Sequence, residues 1–428
     1  MKFLLKIILI YIFIFELHDS KANNLYDSLN SAYLKNPKLN AERANMRAAR
    51  EKKREAISEF LPSVTISGYL SDQQNTVPNG TDSNFKPSEQ SMVVEQKIFQ
   101  GGSGVASFMK QKHGQSIGEF KLKKIEQEIL LDAAKAHTAL LLNKRKLEIN
   151  LINVDLLERQ VETDSNRLEK GEINLTDLSQ SESSLSGAMA ALIAAQNDLL
   201  TSKANFEKII GKKATEDLKE IEKSELNLPK SLASAYSISK SENPDLQIAL
   251  LEYKQAKLDV VIAGSDLAPS AILKYKVAEQ DDLSSTVKDR TQKTVTATAS
   301  WPLFAGGKNI FGLRNANELK NQKELLHEDA KKNIETNVTN AWSSYQSSKS
   351  MLDSIRSQVK AAEIANEGIT LEYESGSNRT TLEVIQSRTI LLNSRINLAS
   401  SERNFLISQF NLLSAIGRLT AKHLNLNK

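Results

Sequence analysis

The sequence has no cysteine among its 428 residues. That excludes disulfides, thiol catalysis and a lipid-modified N-terminal cysteine. Proline is scarce, with none from Ser88 to Leu228 and none after Pro302, as long uninterrupted helices require. Aromatic residues make up 6% and charged residues 25%, a balance that suits extended coiled helices better than a compact core. Neither sign of charge dominates: 56 basic residues face 52 acidic ones, spread along the chain, so no patch calls for a nucleic-acid partner. Histidines 18, 113, 137, 327 and 423 stand singly at no metal-ligand spacing. No Gly-x-Ser-x-Gly turn occurs, and no Gly pair is followed by the Lys-Ser/Thr of a phosphate loop. With no constellation of reactive groups, neither catalytic residues nor a cofactor is expected.

Long apolar runs are missing too, except at the start. Phe3 to Phe15 is apolar apart from Lys6, follows Met1-Lys2, and leads to Ser20-Lys21-Ala22. Residues 1–22 therefore read as a secretory signal peptide cut after Ala22, the run being shorter than the ~20 residues of a spanning helix. No later segment approaches that length, so if the mature chain meets a membrane it does so with strands or with its surface.

What is present comes twice. Leu25 to Phe60 has helical character, with a break at Asn36-Pro37-Lys38-Leu39 and an end at Leu61-Pro62. A second such segment breaks at Asn243-Pro244-Asp245-Leu246 and ends at Ala268-Pro269, 207 residues further on in both cases. Phe99 and Phe304, and Gly171 and Gly376, are 205 apart; Ile210-Gly211 and Ile416-Gly417 are 206 apart. Ordered landmarks at nearly one offset indicate a duplicated unit. The first repeat covers residues 23–211 and the second 231–417, with a charged linker at 212–230 and a tail at 418–428.

Each repeat carries two segments of strand character, at about 62–72 and 91–100, then at about 270–279 and 293–304. Val64, Ile66, Gly68 and Leu70 alternate with polar residues, as do Val295, Ala297, Ala299, Trp301 and Leu303. Ten residues with one apolar face is the length and pattern of a tilted transmembrane strand. Four strands cannot close in lipid alone, so spanning strands require several chains in one barrel.

The second strand of each repeat ends in a Gly pair, Gly101-Gly102 or Gly306-Gly307, and 69 residues separate that pair from Gly171 or Gly376. A helix of that length spans ~100 Å. Leu178, Leu185, Leu192, Leu199 and Phe206 fall at sevens, as do Ile385, Leu392, Ala399, Leu406 and Leu413. A strict seven keeps its stripe on a partner only through left-handed supercoiling, so each repeat is an out-and-back coiled hairpin with a turn near Gly171 or Gly376.

This order of signals resembles the TolC family of outer-membrane channel proteins. The resemblance rests on the doubled Asn-Pro-x-Leu, on Leu61-Pro62, on Ser300-Trp301-Pro302-Leu303-Phe304-Ala305-Gly306-Gly307, and on Tyr373-x-x-Gly376 followed by an acidic residue. It implies a mainly α fold with transmembrane β-strands: a homotrimer with a long α-helical barrel and a shared β-barrel, four strands per chain and twelve in all. It also implies an outer-membrane location with a periplasmic extension, docking of the tip turns onto a periplasmic adaptor, and an inner-membrane pump of the RND or ABC type. By motif position, Asp177, Tyr373 and Arg379 correspond to residues that hold the periplasmic end closed, Arg379 standing one place from the usual Arg. Glu383 and Gln386 take the places of two acidic rings that favour cations, the second being neutral here. The other reading is a periplasmic coiled-coil adaptor or scaffold, although adaptors usually carry one hairpin flanked by small β domains.

Overall fold

The computed structural model describes residues 24–76, 78, 83–214, 226–284, 287–375 and 379–426. Residues 1–22, read as a signal peptide, lie outside these residues, as do linker residues 215–225 and Gly376. In the first half, helices α1 (Leu25–Lys35) and α2 (Pro37–Ser58) lead into strands β1 (Ser63–Leu70), β2 (Gln73–Asn75), β3 (Ser83–Phe85) and β4 (Ser88–Gln100). Helices α3 (Ser103–Glu169) and α4 (Leu175–Ile210) follow. The second half runs α5 (Leu232–Glu242), α6 (Pro244–Ser265), β5 (Ser270–Ser284), β6 (Val287–Ser300), α7 (Lys308–Glu374) and α8 (Thr381–Ala415). α1 and α5 each have 11 residues, α2 and α6 each 22, and α3 and α7 each 67. The duplication read in the landmarks is thus carried by whole elements. Among the described residues no helix is long and apolar enough to cross a membrane.

Local chemistry sets the breaks. Asn36 and Asn243 are extended, as the residue before proline must be, and Pro37 and Pro244 open the next helices where no N–H is needed. The two asparagines also donate to the ends of returning helices, Asn36 Nδ2 to the Ile209 carbonyl at 3.3 Å and Asn243 Nδ2 to the Ala415 carbonyl at 2.9 Å.

The chain divides into two compact units. The unit of residues 42–122 and 244–333 holds an antiparallel sheet in the order β1-β4-β5-β6, with β2 and β3 paired separately. Cross-strand partners put Val64, Val94, Tyr275 and Val295 in one row and Ile66, Met92 and Val277 in another, both on one face. The opposite face is polar: Lys274 pairs with Glu95 at 3.0 Å, Lys276 with Glu89 at 2.5 Å, and Ser67 with Ser91 at 3.1 Å. The ladder of β5 and β6 runs on through Asp281↔Asp289, past the strand bounds of about 279 and 293 expected from the sequence. Both faces are polar there, so the backbone hydrogen bonds leave no alternation to read. At the other end β6 stops at Ser300, because Pro302 has no N–H to give a ladder. In both Gly pairs φ is positive, from +59° to +90°, which lets a strand turn directly into a helix.

The other unit holds residues up to 41, then 123–243 and 334–428. Val154 and Leu157 of α3 pack with Ala188 of α4, and Leu185 and Leu192 close over them. The most buried row of α4 is nevertheless small: Ser181, Ala188, Ala195 and Ser202 at sevens, three places beyond the leucines. α8 repeats it with Ser387, Ser394, Ser401 and Ser408. Leucines fill one seam position of the heptad, and small residues at the other let the helices approach closely. Leu29, Phe206, Ile210, Leu412, Leu413 and Ile416 are fully buried.

Candidate functional site

The candidate site is built from the two hairpin tips in the second unit. α3 ends at Glu169, and Gly171, at φ +74°, lets Glu172 N–H reach the Arg167 carbonyl at 2.9 Å. Asn174 caps α4, its side chain accepting Asp177 N–H at 3.0 Å while the Asp177 carboxylate accepts Asn174 N–H at 3.3 Å. The second tip repeats the device: Thr380 caps α8, Thr380 N–H donates to Glu383 Oε2 at 2.8 Å, and Glu383 N–H donates to Thr380 Oγ1 at 3.3 Å. Asp177 and Glu383 therefore occupy the same position of two reciprocal caps.

Arg379 bridges the second tip. Its Nε lies 2.6 Å from Glu372 on α7 and its Nη1 2.9 Å from Glu383 on α8. The Thr380 backbone N–H, and next the Arg379 guanidinium, hold the Glu383 carboxyl below the usual carboxylate range. Glu383 and Gln386 line a groove of about 180 Å³ between α7 and α8, together with Ala362, Ala365, Ile369, Ser387 and Ile390.

The link between hairpins is Tyr373. Its hydroxyl donates to Asp164 Oδ1 at 2.9 Å and lies 3.0 Å from Thr381 Oγ1, so the Thr381 hydroxyl is left to donate to the phenol oxygen. Asp164 is fully buried on α3 and also accepts Gln160 Nε2 at 2.9 Å and Ser181 Oγ at 2.5 Å. Arg167 stands over the Tyr373 ring, 4.7 Å from its centroid. Burial raises the Tyr373 phenol; the Thr381 hydroxyl pulls it down and the Asp164 carboxylate pushes it up again, so it stays protonated at neutral pH.

Of the residues singled out by sequence, Arg379 and Glu383 meet, while within one chain Tyr373 meets Asp164 and Thr381 in place of Asp177 or Arg379. Gly171 turns the first tip, and Gly376 lies outside the described residues. Asp164 is the partner that sequence reasoning missed. Its signal is an acid one heptad after Leu157, in a row that is otherwise packed. Among the described residues no three of His, Cys, Asp and Glu gather as a metal site.

A family model described as outer membrane efflux protein matches residues 28–212 and 235–418. The outer membrane efflux protein BepC of Brucella suis biovar 1 (strain 1330) is 25% identical over 409 residues, spanning 95% of this chain and 88% of that protein. The outer membrane protein TolC of Escherichia coli (strain K12) is 24% identical over 420 residues, 95% of this chain and 84% of its own. Among solved structures, the CmeC outer membrane channel of Campylobacter jejuni superimposes with a TM-score of 0.83 at 13% identity, covering 92% of this chain and 86% of that one. A likeness at that identity speaks for the fold.

Proposed function

Because the chain belongs to the outer membrane efflux protein family, we propose that three copies form the outer-membrane exit duct of a tripartite efflux pump or a type I secretion system. The duct is passive, and its helical tips open and close it. The sheet carries this reading: four antiparallel strands present one exposed apolar face and two edges, β1 and β6, without partners among the described residues. From Ala271 to Val277 the apolar side chains span about 20 Å at ~3.3 Å per residue, close to the ~25 Å apolar band of an outer-membrane barrel. Lipid does not tolerate an unpaired edge. β1 and β6 run in opposite directions, so copies join edge to edge into an even, antiparallel barrel, and three give twelve strands. The adaptor reading leaves the apolar face without a use.

At the tips, Tyr373 on Asp164 holds the two hairpins of a chain together and so restrains a closed entrance, while Asp177 and Arg379 fix the turns. Glu383, ringed three times around the bore with a neutral Gln386 behind it, gives a weak cation preference. The turns at Gly171 and Gly376 are the docking points for a periplasmic adaptor, which couples the duct to an inner-membrane RND or ABC-type pump. Outer membranes extracted in mild detergent test the reading. Light scattering corrected for bound detergent is expected to give a trimer, and a monomer or a purely soluble periplasmic protein would overturn it.

A further inference from the structure

One face of α2 changes its chemistry as it nears the sheet. Arg43, Arg47, Arg50 and Arg54 follow one another at steps of four, three and four, and Ile57 is the next step. At about 100° per residue these positions stay within an arc of about 80°. Leu61 follows just past the helix, and Val64 and Ile66 then open the apolar face of β1. Ile57 is 45% exposed and Leu61 60%, so the apolar end of the stripe is uncovered. Glu42, Glu51 and Glu55 lie off the stripe. Glu51 reaches Arg54 at 2.8 Å in an exposed pair, while Arg47 and Arg50 have no acidic partner among the described residues.

The packed side of α2 is a different one. Ala56 is buried, and a Cβ on Gly118 of α3 would lie 3.1 Å from Ala49 Cβ. In α6, 207 residues on, the positions equivalent to the four arginines are Leu250, Lys254, Lys257 and Val261. Both repeats therefore put cations on this face, and in the second an exposed valine stands toward the strands. At the same end of the sheet, past β6, Trp301 is 62% exposed and Phe304 86%. Exposed aromatic rings at the end of spanning strands mark a membrane surface.

We propose that this face of α2 binds the headgroups of anionic phospholipids in the periplasmic leaflet of the outer membrane. A water-filled bore has no use for Ile57 and Leu61 laid open beside the strands, whereas a lipid leaflet covers them. Arg54 lies about 5 Å and Arg50 about 10 Å along the helix from Ile57. A headgroup layer is roughly 5–8 Å thick, so both are within reach of it. Their stems lie along apolar surface while the guanidinium groups meet phosphate oxygens two at a time. Arg47 and Arg43, about 15 and 21 Å away, stand beyond that layer. They act only through a surface potential that decays over about 10 Å. The inference rests on the membrane-spanning sheet proposed above and adds which lipid the chain selects.

The test is the phospholipid that the full-length protein, purified in mild detergent, retains on a sizing column after mixing with equal amounts of dioleoyl-phosphatidylglycerol and dioleoyl-phosphatidylcholine. Phosphatidylglycerol is expected to be retained severalfold over phosphatidylcholine, each cation near an anionic lipid surface being worth about fivefold. Arg50→Gln with Arg54→Gln is expected to lose most of that preference, and Arg50→Lys with Arg54→Lys to keep most of it. Arg43→Gln with Arg47→Gln, further from the strands, is expected to change it little. Equal retention of both lipids by the parent, or an undiminished preference in the Arg50 and Arg54 glutamine variant, would overturn the inference and leave the spanning sheet standing. A protein that retains neither lipid and stays dispersed without detergent would overturn the sheet's place in lipid, and the inference with it. The same glutamine variant in planar bilayers is expected to keep the parent's reversal potential in a KCl gradient. A shifted potential with unchanged lipid preference would place the stripe in the bore and overturn the inference.

Discussion

Tyr373 and Asp164 sit on different hairpins, 209 positions apart, and meet in a buried hydrogen bond of 2.9 Å. Asp164 makes no ion pair among the described residues and is held by hydrogen bonds from Gln160, Ser181 and Tyr373. Tyr373→Phe removes one of three donors to a buried carboxylate, and a hydrogen bond to a charged group contributes about 1.5–3 kcal/mol. The expected outcome is a channel that opens more readily, read as raised single-channel conductance in a planar bilayer. Asp164→Asn, which keeps the shape and loses the charge, is expected to do so less. Unchanged conductance in both would leave the pair a packing feature only.

Arg379 neutralises Glu372 and Glu383 of its own chain at 2.6 and 2.9 Å. Arg379→Gln therefore leaves two unpaired carboxylates at each second tip. Cation preference is expected to rise, measured as a larger reversal potential in a KCl gradient. Higher conductance at the same reversal potential would instead assign Arg379 to holding the entrance closed.

Glu383→Gln separates charge from structure at the same tip. A glutamine side chain can still accept Thr380 N–H, as in other reciprocal caps, so α8 keeps its start while the proposed ring loses its charge. Cation preference is expected to fall, with thermal stability nearly unchanged. A reversal potential equal to that of the parent channel would rule the ring out.

The repeats were legible because their markers are backbone residues: Pro37 and Pro244 must start helices, and the Gly pairs supply a positive φ whatever surrounds them. The apolar face of the sheet was legible from alternation for the same local reason. The caps could also have been read, since Asn174-x-x-Asp177 and Thr380-x-x-Glu383 are local patterns. The partner of Tyr373 could not, because it depends on how two hairpins pack. Nor was the row Ser387, Ser394, Ser401, Ser408, since serine is read as polar until close helix packing buries it.

Gly417 and Gly171 both have positive φ, at 84° and 74°, yet substitution should separate them. A Cβ on Gly417 would lie 2.3 Å from the Glu242 carbonyl oxygen, whereas one on Gly171 would meet nothing within 4 Å. Gly171→Ala is expected to cost only the left-handed backbone penalty of about 1–2 kcal/mol. Gly417→Ala adds a clash with backbone, beside the Arg418 to Glu242 pair at 2.7 Å that anchors the tail. Its unfolding midpoint should fall several degrees further, and equal losses would mean that the tail gives way freely.

His137 is fully buried, with Nδ1 2.8 Å from Ser28 Oγ, its ring 6.1 Å from that of Phe206, and no partner for Nε2 among the described residues. Burial lowers its pKa from 6.5 to about 4, so the folded chain holds it neutral while the unfolded chain takes up a proton below 6.5. Its contribution is therefore fully present above that pH and is lost as pH falls toward about 4, by at most roughly 3 kcal/mol. Unfolding midpoints measured between pH 7.5 and pH 4.5 should drop, and His137→Gln should flatten the slope even though it lowers the midpoint at pH 7.5. The same slope in the variant would place the acid sensitivity in other groups.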